Sequence, residues 1–138
     1  MERVHDKRVA YIYHDKIGTF SYGRNHLMKP KRIKMAHDLI EGYGLYRQMN
    51  GFKPKLATYT EIMKFHSSLY TAFLKNINLF KALNLHHAKY FSELAEMYNV
   101  GTKDCPLFKG LVKYSQIVAG GTLMAASILN SQTNDICI

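Results

Sequence analysis

The sequence has no tryptophan, only three prolines and two cysteines, and about half as many acidic as basic residues. Cys105 and Cys137 are too few and too far apart for a disulfide scaffold or a cysteine-based zinc knuckle, which favours reduced thiols in the cytosol or nucleus. No apolar run approaches the roughly eighteen residues that span a bilayer. The charged start at residues 1–8 lacks the apolar core of a secretory signal.

The shortage of acidic residues leaves a formal net charge of +9 at pH 7. Residues 1–34 hold nine Lys or Arg against three acidic residues, so six of the nine surplus charges lie in the first quarter of the chain. This bias predicts an anionic partner such as a phosphate, a nucleic acid or an acidic protein. A solvated basic surface without a specific partner explains the same bias.

Short β-branched and aromatic segments predict three strands. Residues 9–13 are apolar on both faces, as in a buried strand of a parallel sheet. Residues 52–57 form a weaker candidate, and residues 135–138 read as the beginning of a third buried strand. A core strand normally continues to a turn, so this last segment predicts that the sequence is a fragment.

Helix signals occupy most of the remaining sequence. Pro30 can open a helix at its first turn, and Thr58 with Glu61 forms a capping box that marks another start. Periodicity predicts further helices after Ser67-Ser68, over residues 80–98, and over residues 107–129, where apolar residues all round indicate burial and Gly120-Gly121 indicates close backbone packing. Alternating strands and helices predict an α/β fold with a parallel sheet.

Several stretches, in order along nearly the whole chain, together resemble the class I zinc-dependent histone deacetylases. The specific ones are the loop that runs into Met28-Lys29-Pro30 and the stretch from Asn99-Val100-Gly101 to Asp104-Cys105-Pro106. Weaker matches support them at Val9-Ala10-Tyr11-Ile12-Tyr13, Tyr43-Gly44-Leu45-Tyr46, Phe65-His66-Ser67 and Gly120-Gly121.

This resemblance implies the arginase/deacetylase α/β fold, in which residues 1–138 would be a partial domain with the first three strands of a larger parallel sheet. It implies hydrolysis of acetyl-lysine on histone tails, with a zinc ion that polarises the amide carbonyl and a histidine pair as acid and base. In the family those groups follow the strand that begins at Asp135. We therefore expect no metal ligands, no catalytic residue and no zinc-dependent deacetylase activity in this chain alone.

The resemblance does carry over residues of the pocket rim and floor. Asp104 matches an aspartate that accepts hydrogen bonds from the substrate backbone, and His26 matches a rim histidine. Lys29 matches a lysine that contacts inositol phosphate where corepressor complexes dock. The lining of an internal cavity beneath the zinc is matched by Tyr22, Met28, Arg32 and Tyr114. The alternatives are a solvated loop acid for Asp104, a surface lysine for Lys29, and plain core packing for Met28 and Tyr114.

Three features depart from the family pattern. Leu27 replaces a usual proline, Asn25 replaces a usual glycine, and Thr102-Lys103 makes the loop before Asp104 one residue longer. In addition, Leu85-His86-His87-Ala88-Lys89 has the letters of the family's catalytic histidine pair and its neighbours. This segment precedes the Asn-Val-Gly stretch, lies within a helical pattern and has no Asp-x-His motif after it, so we interpret it as ordinary helix.

Two functions remain open from the sequence. The chain is either an N-terminal piece of a protein lysine deacetylase, or a non-enzymatic module that binds inositol phosphate, a corepressor or nucleic acid through its basic residues. The resemblance implies acetylated histone tails as partners and a nuclear location, with the cytoplasm as the alternative. A loose nuclear-import pattern at residues 31–34 points the same way, although a helix start there would hide it.

Overall fold

A three-stranded parallel sheet organises the structure, a computed structural model that describes residues 7–82 and 89–138, with only the backbone described at residues 78–82. The strands are β1 (Val9–Ile12), β2 (Asn50–Phe52) and β3 (Ile136–Cys137), in the spatial order β2-β1-β3. All pairs are parallel, with Ala10 opposite both Asn50 and Cys137. This arrangement confirms the predicted α/β class.

The central strand β1 is buried because both its neighbours and the helices cover it. Ala10 is fully buried and Tyr11 nearly so. The Asp135 carboxylate fixes the start of β3 against β1: it accepts hydrogen bonds from the Arg8 backbone N–H (2.8 Å) and guanidinium (3.3 Å from Nη2). These hydrogen bonds lower the pKa of Asp135 below its usual value.

Two helices begin where the sequence signals predict. The first helix starts directly after Pro30, whose side chain is fully buried. The capping box is complete: the Thr58 hydroxyl accepts from the Glu61 N–H (3.2 Å), and the Glu61 carboxylate accepts from the Thr58 N–H (2.7 Å). The helices are α1 (Lys31–Gly42), α2 (Tyr59–Ile62), α3 (Ser68–Ala82), α4 (Lys89–Met97) and α5 (Leu111–Asn130), with short 3₁₀ turns at Ile17–Thr19 and Leu45–Gln48.

Two apolar clusters hold these elements together. The first lies between α3 and α4 and has four buried members, Phe73, Ile77, Phe91 and Leu94. The second lies between α5 and the segment that follows β1, and its buried members are Ile17, Tyr114 and Ile117. Tyr22 and Phe108, which lie in loops, pack against the second cluster.

The prediction of a strand over residues 52–57 was wrong, since β2 covers Asn50–Phe52 only. Beyond Phe52 the chain turns toward α5. The Ala57 N–H donates to the Gln116 carbonyl (2.9 Å), and the Gln116 side-chain amide donates to the Ala57 carbonyl (2.9 Å). These hydrogen bonds to α5 take the place of the backbone hydrogen bonds that residue 57 would form with a neighbouring strand if it lay in the sheet.

The prediction of a helix over residues 80–98 is confirmed for the described parts of that range, since α3 extends to Ala82 and α4 covers Lys89–Met97. Residues 83–88, which include His86 and His87 of the Leu-His-His-Ala-Lys segment, lie outside the described residues. Phe91 and Leu94 are buried in α4, as their spacing predicted.

The long helix α5 is buried along one stripe rather than all round. Tyr114, Ile117 and Gly120 are buried, whereas Val118, Leu123 and Leu129 are exposed. The prediction of full burial was therefore wrong, because within residues 7–82 and 89–138 neighbours pack on only one side of this helix. In the same part of the chain, no helix is both long and apolar enough to cross a bilayer.

Candidate functional site

The entrance loop, residues 22–29, follows the carboxyl end of β1 and is closed on itself by side chains. The Lys29 ammonium donates to the backbone carbonyls of Gly23 (2.8 Å) and Arg24 (2.6 Å). The Met28 N–H donates to Nδ1 of His26 (2.9 Å). The side chains of His26 and Lys29 therefore supply hydrogen bonds that a regular element would supply from its backbone.

The aspartate loop, residues 99–106, follows the end of α4. Asn99 adopts a left-handed conformation (φ 54°), and the Val100 N–H reaches back to the Ala95 carbonyl (2.8 Å). This is a helix C-terminal motif in which Asn takes the place of the usual glycine. The Gly101 N–H donates to the Cys105 carbonyl (2.8 Å), which closes the loop around Asp104. Local backbone conformation and hydrogen bonding therefore explain the Asn99-Val100-Gly101 motif.

His26 joins the two loops across 78 positions of sequence. Its Nε2 lies 3.2 Å from the Asp104 backbone carbonyl. Because Nδ1 already accepts from the Met28 N–H, a neutral imidazole carries its proton on Nε2 and donates it to that carbonyl. His26 is therefore a strut between the loops in the described structure.

A groove of about 560 Å³ runs between the two loops. Tyr22, Asn25 and Leu27 line it from the entrance loop, and Lys103 and Asp104 line it from the aspartate loop. Asp104 is exposed, and among the described residues only its backbone carbonyl is engaged, which leaves the carboxylate available to a ligand. An exposed carboxylate beside a groove can accept two N–H groups of an extended peptide at once.

Tyr22 lines the groove, and we call Tyr22 together with the aromatic rings packed against it the floor. The Tyr22 ring lies 4.6 Å from that of Phe108 and 5.6 Å from that of Tyr114, centroid to centroid. Tyr114 is 6% exposed and also packs edge-to-face on Phe20 at 5.5 Å. Gly110, just before α5, permits this packing: a Cβ there would lie 2.8 Å from the Phe20 ring, and its φ of 84° suits glycine.

Burial raises the pKa of Tyr22 to about 12, with smaller contributions from the charge of Tyr114, a hydrogen bond with Tyr114, and Cys105. The Tyr22 hydroxyl therefore keeps its proton throughout the physiological pH range. A neutral tyrosine at the floor of a groove favours a ligand that is polar but uncharged at that depth.

The structure brings only some of the predicted site residues together. Tyr22, His26, Asp104 and Tyr114 are connected through the contacts above. Met28 is 44% exposed and Arg32 is exposed in the first turn of α1, so both are open to solvent here and their place in an internal cavity stays a prediction.

Lys29 stabilises the entrance loop, a role that the sequence did not indicate. Its ammonium already makes two hydrogen bonds to the loop backbone, and its third proton and its charge remain for an anion. Its assignment to inositol phosphate stays a prediction.

Sequence reasoning missed Phe20 and Phe108, which pack on Tyr22 and Tyr114. One indication of their role was present in the sequence, which is that each lies within a few residues of a predicted site residue. Within the described ranges, no group of three or more His, Cys, Asp or Glu side chains lies close enough together to hold a metal ion.

Comparison with known proteins identifies the family of this chain. A model of the histone deacetylase domain matches residues 26–138, which include the aspartate loop, residues 26–29 of the entrance loop, and Phe108 and Tyr114 of the floor. The chain belongs to the histone deacetylase family. Class I relatives support this: "Histone deacetylase HDAC1" of Drosophila melanogaster is 43% identical over 132 residues, and "Histone deacetylase 1" of Homo sapiens is 38% identical over the same length.

These deacetylases are much longer than the chain. The alignments cover 96% of this chain but 24% of the Drosophila protein and 26% of the human one. "Type-1 histone deacetylase 1" of Dictyostelium discoideum gives a similar picture, with 39% identity over 132 residues that make up 25% of that protein. The chain thus spans about a quarter of the histone deacetylases it matches.

Proposed function

We propose that this chain forms the substrate-binding rim and floor of a protein lysine deacetylase site, and that it recognises acetyl-lysine within an extended peptide. The observation that carries this proposal is the hydrogen bond from His26 to the Asp104 carbonyl. It holds two loops from distant parts of the sequence as the walls of one groove. The free Asp104 carboxylate lies on one wall, and the neutral Tyr22 hydroxyl lies at the floor.

Each group has a separate task in binding. The Asp104 carboxylate accepts backbone N–H groups of the peptide, which fixes the peptide's direction. The acetylated side chain then points toward the Tyr22, Phe108 and Tyr114 rings. Acetylation removes the charge of lysine and leaves an apolar stem with a neutral amide, which suits an aromatic floor better than an ammonium does.

The family's zinc ion would polarise the amide carbonyl during hydrolysis. The described residues do not supply a ligand set for it, so we assign no step through zinc to this chain. The contribution of the chain is binding and orientation, which can account for several kcal/mol of a reaction barrier, on the order of 7–11 at the upper limit.

The names of the relatives suggest histones as the class of substrate. Proteins named histone deacetylases act on histones, so we infer that histone tails are the peptides bound and that the protein acts in the nucleus, on transcription. The runner-up is a non-enzymatic module that binds inositol phosphate, a corepressor or nucleic acid through the basic residues of positions 7–34.

Peptide binding tests the proposal directly. We expect the chain to bind a fluorescent acetyl-lysine peptide more tightly than the same peptide with free lysine, measured by fluorescence anisotropy. Replacing Asp104 by Ala should weaken binding by roughly tenfold or more, the loss of a hydrogen bond to a charged group. The control is Asp38→Ala, since Asp38 lies on α1 in an ion pair with Lys34. Equal affinity for both peptides would reject the proposal.

A further inference from the structure

Leu27 is the most exposed large apolar side chain of the described residues, at 91%. Single exposed leucines are ordinary on protein surfaces and need no function. Leu27 differs from the others in its position, because it lines the groove between the entrance and aspartate loops.

Hydrogen bonds on either side hold Leu27 in place. The His26 imidazole accepts from the Met28 N–H and so spans the backbone of Leu27, while its other nitrogen is attached to the opposite loop. The Lys29 ammonium ties the end of the entrance loop to its beginning. An apolar side chain on a fixed loop loses little backbone entropy when it contacts a ligand, which is the condition for an effective contact.

We propose that Leu27 determines substrate preference, so that the groove favours acetyl-lysine peptides with an apolar residue beside the acetyl-lysine. This inference rests on the proposed function. A peptide that Asp104 holds from one wall runs along the groove in an extended form, and successive side chains then point to opposite sides. Because the acetyl-lysine points to the floor, the residues next to it point toward the open side of the groove, where the 91% exposed Leu27 lies, and an apolar side chain there removes the leucine from water.

The test compares two acetylated peptides and three forms of the chain. One peptide has Leu on both sides of the acetyl-lysine and the other has Ser, and each is titrated by fluorescence anisotropy. The proteins are wild type, Leu27→Ser, and Leu39→Ser as the matched control, because Leu39 is 60% exposed on α1 and does not line the groove. Far-UV circular dichroism verifies that the variants keep the helical content of wild type.

We expect wild type and Leu39→Ser to prefer the Leu-flanked peptide by about tenfold, the lower end of what one apolar group discriminates. Leu27→Ser should bind the two acetylated peptides equally. Equal binding of both peptides by wild type, or an unchanged preference in Leu27→Ser, would overturn the inference and leave the proposed function standing. Failure of wild type to distinguish acetylated from unmodified peptide would instead overturn the proposed function, and this inference with it.

Discussion

Neighbouring glycines in α5 give a sharp test of how this helix packs. A Cβ added to Gly120 would lie 1.9 Å from the Lys55 carbonyl oxygen and 3.1 Å from the Ala57 nitrogen. A Cβ added to Gly121 would meet only the Ile12 side chain, at an ordinary 3.9 Å. Gly120→Ala and Gly121→Ala therefore gain the same helix propensity, about 1 kcal/mol, but differ in what the methyl group meets.

The cost at Gly120 follows from the contacts. The helix and the 55–57 segment must separate by about 1 Å before the methyl group fits, and overpacking of this kind costs about 1–3 kcal/mol. The same movement strains the two 2.9 Å hydrogen bonds between Ala57 and Gln116, each of which contributes about 1 kcal/mol. After the gain in propensity, Gly120→Ala should lose about 2–4 kcal/mol of stability, whereas Gly121→Ala should be neutral or stabilised by up to about 1 kcal/mol.

Urea denaturation followed by circular dichroism at 222 nm measures both variants against wild type. We expect the Gly120→Ala transition to move to lower urea or, if the loss exceeds the stability of the chain, to disappear together with the helical signal. Two alanine variants of equal stability would show that α5 does not approach the 55–57 backbone this closely, and the reasoning would fail.

Two further predictions concern the site. Since the pKa of Tyr22 is raised from 10.0 to about 12, its contribution to stability is complete below pH 10 and is lost as the pH rises toward 12. Tyr22→Phe should reduce this alkaline loss in pH-dependent melting, and a loss as large as that of wild type would contradict the reasoning. Replacing Lys29 and Lys31 by Ala should weaken inositol phosphate binding by roughly two- to fivefold per cation in calorimetry, and added salt should weaken it further. Equal affinities, or no dependence on salt, would leave a solvated basic surface as the explanation.

Local signals in the sequence were sufficient wherever one short segment determines its own structure. The capping box of Thr58 and Glu61, the helix start after Pro30, and the loop at Asn99 each depend on hydrogen bonds within a few residues. The family resemblance likewise identified both loops of the groove. These features were predictable because the residues that form them are adjacent in the sequence.

Long-range contacts were not predictable in the same way. The end of β2 depends on α5, which draws residues 55–57 away from the sheet. The His26 strut needs a carbonyl 78 positions away, and any residue there would supply one. The exposed face of α5 has the same apolar composition as a buried face, so its pattern did not reveal which side has neighbours.

The strand order has a consequence for synthesis of the chain. Of the three strands, the central strand β1 is synthesised first, and its partner β2 follows about 40 residues later. The other partner of β1 is β3, and the hydrogen bonds between Arg8 and Asp135 that join these two strands span 127 positions of sequence. Closing the longer loop costs only about 1 kcal/mol more than closing the shorter one. At about 5–20 residues per second, however, one side of β1 waits several seconds on the ribosome for its partner, a period in which its apolar edge is open to other nascent chains.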